Sequence, residues 1–170
     1  MISIRPIQLE DATLFLAFMK QLDLETPYML YEPNERSTSV QEVENEIIRL
    51  NETKQIFIAL AQEQVIGFIM IKSGQLKRNR HTAYIVIGIR AKYHGLGLGT
   101  RLLQTAENWA IQKQIHRLEL TVMTHNQVAL ALYQKMGFEI EGICKENLYI
   151  DGKFVDEYYM GKIFSSSKYT

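Results

Sequence analysis

The sequence has one cysteine, no net charge and no long hydrophobic run, and each shortage excludes a class of protein. Cys144 has no second cysteine to pair with, so we expect no internal disulfide and a reducing, cytoplasmic compartment. The 19 basic and 19 acidic residues balance, which argues against a nucleic-acid partner. No apolar run approaches the roughly 20 residues that span a membrane, and residues 1–6 contain no apolar signal core. We therefore expect a soluble intracellular protein with no membrane partner.

The 170 residues, 46% of them hydrophobic, suffice for one domain with a substantial core. We assign residues 1–164 to this domain and residues 165–170 to a polar tail. The apolar spacing predicts an α/β (α+β) fold with a mixed sheet, largely antiparallel at first and with crossover helices later. The predicted strands and helices, in chain order, are a strand at 2–5, helices at 9–22 and 39–50, strands at 55–61, 65–71 and 81–89, a helix at 99–114, a strand at 118–122, a helix at 126–136, and two strands after 138 joined by Asp151-Gly152.

The most informative segment is a glycine-rich loop between the strand at 81–89 and the helix that follows it. Glycine occupies alternate positions there, at Gly95, Gly97 and Gly99. The first N–H groups of a helix have no partner within the helix, and the positive end of the helix dipole lies behind them. Glycine lets the backbone turn tightly and lets an anion approach. The segment therefore predicts a site for a phosphate-bearing cofactor.

Several kinds of phosphate loop share these features. A nucleotide-triphosphate loop requires a lysine after its last glycine, but Thr100 follows Gly99. A dinucleotide fingerprint has the spacing G-x-G-x-x-G, which is one residue longer than the spacing here, although Glu119 lies about 20 residues on, where an acid would hold a ribose. A glycine-rich turn that binds nothing is the remaining alternative.

The segment His94-Gly95-Leu96-Gly97-Leu98-Gly99 resembles the coenzyme A loop of the GNAT superfamily of N-acetyltransferases, whose motif is [QR]-x-x-G-x-G/A. His94 stands where that family prefers Gln or Arg. The segment from Asn126 to Phe138 is similar to the family's second signature, N-x-x-A-x-x-x-Y-x-K-x-G-F. The resemblance covers nearly the whole chain. It implies the acyl-CoA N-acyltransferase fold, a mainly antiparallel sheet with a splayed central strand pair and flanking helices.

The resemblance implies acetyl-CoA as cofactor and a binding site that runs along the central strand and the loop. Backbone N–H groups from Gly95 to Thr100 would bind the pyrophosphate. The strand edge at Ile87–Ile89 would pair with the pantetheine amides, and Asn126 would hydrogen-bond the cofactor. Gly88 indicates either a bulge with close backbone approach or a position where packing leaves no room for a side chain. The cofactor-binding residues implied are Ile87, Gly88, Ile89, His94, Gly95, Leu96, Gly97, Leu98, Gly99, Thr100, Asn126 and Tyr133.

Tyr133 occupies the position of the family's general acid. Coenzyme A leaves as a thiolate, and a tyrosine hydroxyl can give it a proton or a hydrogen bond. Asn126 lies seven residues earlier, so we expect both on one helix face. The acceptor amine must lose a proton before it attacks, and neither the family nor the sequence fixes the group that takes it. The candidates are Glu32, Glu35, Tyr84 and Glu157.

The function implied is an N-acetyltransferase, an acyltransferase that moves an acetyl group from acetyl-CoA to a primary amine by direct transfer in a ternary complex. A non-catalytic acyl-CoA-binding sensor or assembly module is the alternative. The acceptor, a small-molecule or peptide amine, stays open, as does a homodimer, since many relatives dimerise. The four histidines show no paired spacing, so we expect no metal site.

Overall fold

The structure is a computed structural model, and it describes residues 1–165. The predicted tail at 165–170 lies outside the described residues except for Ser165. The strands and helices of the described chain are β1 (Ile2–Pro6), α1 (Ala12–Glu25), α2 (Val40–Ile48), β2 (Lys54–Ala61), β3 (Gln64–Ser73), β4 (Thr82–Ile89), α3 (Leu98–Gln112), β5 (Arg117–Met123), α4 (Gln127–Lys135), β6 (Glu139–Ile150) and β7 (Lys153–Ile163).

The predicted order of elements is confirmed, with small changes at helix ends. The first helix is preceded by a 3₁₀ turn at Leu9–Asp11, so α1 itself begins at Ala12. The second begins as predicted with a capping box, in which Ser39 accepts from Glu42 N and the Glu42 carboxylate accepts from Ser39 N, and it ends at Ile48. None of the helices in residues 1–165 combines the length and apolar character needed to cross a bilayer.

The strands form a seven-stranded mixed sheet in the order β1-β2-β3-β4-β5-β7-β6. Its ladders are antiparallel between β1 and β2, β2 and β3, β5 and β7, and β6 and β7. The ladder between β4 and β5 is parallel and pairs only Thr82–Tyr84 with Arg117–Glu119. The hairpin between β6 and β7 turns at Asp151 and Gly152, both at positive φ, as the type I′ turn predicted from the sequence requires.

The described chain contains two compact units. The first comprises Met1–Lys72 and Val86–Ala106, and the second comprises Ser73–Ile85 and the chain from Glu107 onward. The boundaries fall within β3, β4 and α3, so each unit contains part of all three elements. The prediction of one domain over residues 1–164 stays a prediction.

The core of the first unit is built from the inner faces of α1 and α2 and from β2 and β3. Three phenylalanines lie at its centre: Phe68 meets Phe15 and Phe18 edge to face, at centroid distances of 5.6 and 5.9 Å. The other buried residues of this core are Ile7, Ala12, Leu16, Leu22, Val43, Ile47, Ile56, Ile58 and Val65.

The sheet of the second unit is buried on one face. Leu118, Leu120 and Val122 of β5 are at most 5% exposed, whereas Glu119 and Thr121 between them are partly exposed. Since side chains alternate along a strand, the residues of the two sets project from opposite faces. Glu119 and Thr121 lie on the more open face, and the candidate site described below includes polar groups of this face.

Candidate active site

The loop after β4 leaves a row of backbone donors free. After a 3₁₀ turn at Ala91–Tyr93 the chain passes through Gly95 and Gly97, whose φ angles are +73° and +76°. The first backbone hydrogen bond of α3 runs from Arg101 N to Gly97 O at 3.2 Å. Among the residues the structure describes, no N–H from Gly95 to Thr100 donates to a protein acceptor. Donors at a helix start with glycine around them suit an anion.

Both loop glycines are required by the backbone and not by crowding. A Cβ at Gly95 or Gly97 would meet no atom within 4 Å. An L residue at these positive φ values would be strained, however. The loop is thus open on the outside and fixed in a conformation that glycine favours.

Glu25, at the end of α1, holds the start of this loop. Its carboxylate accepts from Arg90 Nε at 2.7 Å and from Ala91 N at 3.1 Å, and Gln21 donates to it as well. The hydrogen bond from Arg90 lowers the pKa of Glu25 below its ordinary range. The carboxylate therefore stays charged at neutral pH and ties the chain that leaves β4 to α1.

His94 ties the loop back to the strand. Its Nε2 donates to the carbonyl oxygen of Ile89, the last residue of β4, at 2.8 Å. The residue that departs from the usual family motif therefore has a structural contact of its own. Its predicted contact with the cofactor stays a prediction.

Gly88 lies against the core of the first unit. A Cβ there would come within 2.5 Å of Leu22 Cδ2 and 2.7 Å of Phe68 Cε1. Of the two interpretations that the sequence left open, packing without room for a side chain is the one with a direct structural cause. The role of the Gly88 backbone toward a cofactor stays a prediction.

Asn126 caps α4 and does not lie inside it. Its φ and ψ of −80° and 74° are not helical, and its side-chain oxygen accepts from Ala129 N at 3.3 Å. The expectation that Asn126 and Tyr133 share a helix face therefore changes, because only Tyr133 is a helical residue. The capping bond uses the amide oxygen of Asn126 and leaves its amide N–H groups for another partner.

The end of α4 fixes Tyr133 through a Schellman motif. Phe138 N donates to Tyr133 O at 2.9 Å, and Gly137 N donates to Gln134 O at 3.0 Å, with Gly137 at φ +88°. The rings of Tyr133 and Phe138 lie 6.0 Å apart, which is the apolar contact that accompanies this motif. The Lys162 ammonium of β7 donates to Met136 O at 2.7 Å and occupies one more free carbonyl. The spacing Y-x-K-x-G-F thus encodes a helix end that positions the tyrosine.

Tyr133 is a desolvated phenol. The residue is 7% exposed, and in the described chain its hydroxyl makes no hydrogen bond. Burial raises its pKa well above the ordinary value, and Tyr84 raises it further. The hydroxyl therefore keeps its proton at neutral pH, as a general acid must.

The four candidates for the group that takes the amine's proton lie in different surroundings. Glu32 and Glu35 lie in the exposed loop after α1, where the Glu35 carboxylate accepts from Glu32 N at 2.8 Å. The Tyr84 hydroxyl is 2.8 Å from Thr121 Oγ1. Glu157 is a buried carboxylate, and Asn147 Nδ2 donates to its Oε1 at 2.7 Å.

Some positioning residues gave no signal in the sequence. Glu25 and Arg90 are 65 residues apart and belong to no shared motif. Asn147 reaches Glu157 through a register shift in β6, and sequence alone does not reveal the shift. The Schellman motif was visible in part, because Gly137 predicts a helix end.

Comparison with known proteins gives the same family by sequence and by structure. The family model described as the acetyltransferase (GNAT) family matches residues 17–138. AaaT, an L-amino acid N-acetyltransferase of Escherichia coli (strain K12), is 32% identical over 110 residues, which are 62% of this chain and 66% of AaaT. The chain thus spans just under two thirds of that relative's length.

Two solved structures share the fold. An acetyltransferase of the GNAT family from Streptococcus pneumoniae has a TM-score of 0.92 and 35% identity, covering 96% of this chain and 100% of that one. YncA of Salmonella typhimurium, solved with its cofactor acetyl-CoA, has a TM-score of 0.84 and 16% identity, covering 98% and 96% of the two chains. The chain therefore belongs to the GNAT family of acetyltransferases.

Proposed function

We propose that this enzyme transfers an acetyl group from acetyl-CoA to a primary amine, directly and within a ternary complex. The observation that carries the proposal is the run of backbone donors from Gly95 to Thr100, which have no protein acceptor in the described chain and lie at the start of α3. Such donors match a pyrophosphate in charge and in hydrogen bonding. Acetyl-CoA, when bound, supplies the thioester that carries the acetyl group.

We assign the pantetheine amides to the edge of β4 at Ile87–Ile89. The short parallel ladder supports this, because it reaches no farther along β4 than Tyr84. The Ile89 carbonyl already accepts from His94, so Ile87 and Gly88 are the first candidates for strand-like pairing. The amide N–H groups of Asn126 are the side-chain donors that we assign to the cofactor.

We assign the role of general acid to Tyr133. A phenol with a raised pKa keeps its proton at neutral pH, so its hydroxyl can donate a hydrogen bond or a proton to the sulfur as negative charge develops on the departing thiolate. The Schellman motif fixes the ring before substrate arrives, so little reorganisation is needed at the moment of reaction. The assignment of Tyr133 as general acid thus depends on the burial of its ring and on the rigid C-terminal end of α4.

The first test is isothermal titration of the protein with acetyl-CoA, followed by thiol release with a panel of amines, amino acids and peptides. Amino acids come first because AaaT is named for them. We expect micromolar to submicromolar cofactor binding and release of thiol that depends on the amine. An absence of binding at millimolar cofactor would contradict the proposal. Binding without turnover on any amine would favour the alternative, an acyl-CoA-binding sensor or assembly module.

A further inference from the structure

Among the residues that the structure describes, one buried acid forms no ion pair with a basic side chain. Asp11 and Asp23 are 4% and 1% exposed, and each accepts two hydrogen bonds from an arginine. Buried carboxylates are ordinarily paired in this way, because removing an unpaired charge from water is costly. Glu157 is 9% exposed, and no Lys, Arg or His in the described residues forms an ion pair with it. A cation from outside the chain would complete this site.

The surroundings of Glu157 leave one oxygen ready for a ligand. The register of β6 and β7 shifts between Cys144 and Leu148, and the shift places Asn147 so that its Nδ2 donates to Glu157 Oε1 at 2.7 Å. The other oxygen, Oε2, accepts no hydrogen bond from any described residue. The carboxylate is thus held in orientation by an uncharged donor that does not neutralise it.

Aromatic hydroxyl groups lie on the same face of the second unit. Tyr159 and Glu157 are two residues apart on β7 and face the same way, and the register pairs them with Thr121 and Met123 of β5. The pKa of Tyr159 is raised by its hydrogen bond with Cys144 and, in smaller measure, by the charges of Glu157 and Tyr84. A carboxylate beside aromatic rings is a surrounding that suits an ammonium ion.

The same neighbourhood includes the general acid. Tyr84 contributes to the raised pKa of Tyr133 as well as to that of Tyr159. Its own hydroxyl is bound to Thr121. Since Thr121 of β5 is paired with Tyr159 of β7, the Tyr84 hydroxyl lies at the level of Tyr159 in the sheet.

We propose that Glu157 binds the ammonium group of the acceptor and takes its proton, an assignment that rests on the proposed function. Glu157 Oε2 accepts one proton from R–NH₃⁺, which leaves R–NH₂. The amine nitrogen forms a C–N bond to the thioester carbonyl, and the C–S bond then breaks. The thiolate gains one proton from Tyr133, and the second nitrogen proton, lost as the amide forms, passes through solvent to the Tyr133 phenolate and restores its hydroxyl. Glu157 returns its proton to solvent, so the products are the amide, the thiol and one proton.

The test is Glu157→Gln, which preserves the oxygen that accepts from Asn147. A primary alkylamine with a pKa near 10 is neutral to about one part in a thousand at pH 7, so loss of the base is severe. We expect kcat/KM at pH 7 to fall about 100-fold or more, the scale of a lost general base. The rate of the variant should rise about tenfold per pH unit toward the pKa of the amine, while that of the wild type levels off earlier.

A binding measurement separates this assignment from a loss of fold. Calorimetry of the acceptor into protein saturated with coenzyme A should show acceptor affinity weakened at least tenfold in Glu157→Gln at pH 7. Coenzyme A affinity and melting temperature should match those of the wild type and of Glu139→Gln, a control at an exposed acid of the same hairpin.

Each outcome has one meaning. A wild-type protein that binds no acetyl-CoA or acetylates no amine overturns the proposed function, and this assignment with it. A wild-type protein that turns over an amine at the same rate and with the same pH profile as Glu157→Gln overturns this assignment alone.

Discussion

Two segments of this enzyme depend on glycine at positive φ, and they use their backbone in opposite ways. In the loop from Gly95 to Thr100 the N–H groups have no acceptor in the described chain. At the end of α4, around Gly137, the N–H groups of the turn are bound to the last carbonyls of the helix. The first segment leaves its hydrogen-bonding capacity for a ligand, whereas the second uses it to hold the side chain of Tyr133 in place.

The difference explains why one signature is rich in glycine and the other has a single one. A segment that binds through its backbone must have no bulky side chains in the way, so its glycines repeat. A segment that presents one side chain needs only the turn that fixes it, so one glycine and one aromatic neighbour suffice. Changes to the first should alter affinity, and changes to the second should alter rate.

The largest effect is expected from replacing both loop glycines, Gly95→Ala with Gly97→Ala. Each L residue at these φ values costs about 1–2 kcal/mol, and we expect the free loop to relax away from the binding conformation. Acetyl-CoA affinity, measured by calorimetry, should weaken about 100-fold. Because the free loop can relax this strain and a Cβ meets no atom at either position, the melting temperature should change little. Gly142→Ala, also in open space but without positive φ, is the matched control, and an equal loss of affinity there would contradict the explanation.

The next effect concerns Tyr133→Phe. Removal of the hydroxyl should lower kcat about tenfold or more, which corresponds to about 1.4 kcal/mol in the barrier. Because the ring still packs on Phe138, acetyl-CoA affinity and melting temperature should stay those of the wild type. Steady-state kinetics with the best acceptor of the amine panel gives the answer. An unchanged kcat would remove Tyr133 from the mechanism.

A third, smaller effect tests the helix end itself. Gly137→Ala should cost about 1 kcal/mol of stability, because alanine resists φ +88° although its Cβ would make only ordinary contacts with Lys162. Displacement of Tyr133 should also lower kcat, without a change in acetyl-CoA affinity. Gly137→Asn should lie between the alanine variant and the wild type, since asparagine tolerates this conformation better. Equal behaviour of the two variants would show that strain at this residue is not the cause.

The smallest effect concerns Glu25→Gln, at the attachment of the glycine loop. The folded-state pKa of Glu25 lies below its ordinary value of 4.5, so its charge stabilises the fold above that pH. We expect a loss of about 1 kcal/mol at pH 7, or about 2–4 °C in melting temperature. The difference from the wild type should shrink as the pH falls below 4.5 and the carboxylate of the wild type is protonated. Glu63→Gln, at an exposed turn, should show no such difference at any pH.

The local parts of this structure followed from the sequence, and the distant ones did not. The helix cap at Ser39 and the turn at Asp151-Gly152 depend on residues a few positions apart, so short patterns in the sequence predict them. The ion pair between Glu25 and Arg90 forms because the end of α1 lies beside the end of β4 in the fold. The contact of Asn147 with Glu157 depends on a register shift between β6 and β7. Neither contact produces a periodic pattern in the sequence. The family resemblance indicated the site residues, but it did not show that Asn126 caps α4 or that Gly88 faces Leu22 and Phe68.

The turn at Gly137 makes the position of the Tyr133 hydroxyl depend on the handedness of the backbone. Glycine is the one achiral residue that the genetic code provides. At φ +88° the backbone of Gly137 has a conformation that D-amino acids adopt without strain. Among encoded residues, a replacement of this glycine leaves Tyr133 chemically intact, and we expect it to displace the ring in proportion to the strain that it adds. A protein assembled by chemical ligation with D-alanine at this position would keep the path of the turn. The segment around Tyr133 therefore depends on a mirror-image conformation as much as on the side chain that it positions.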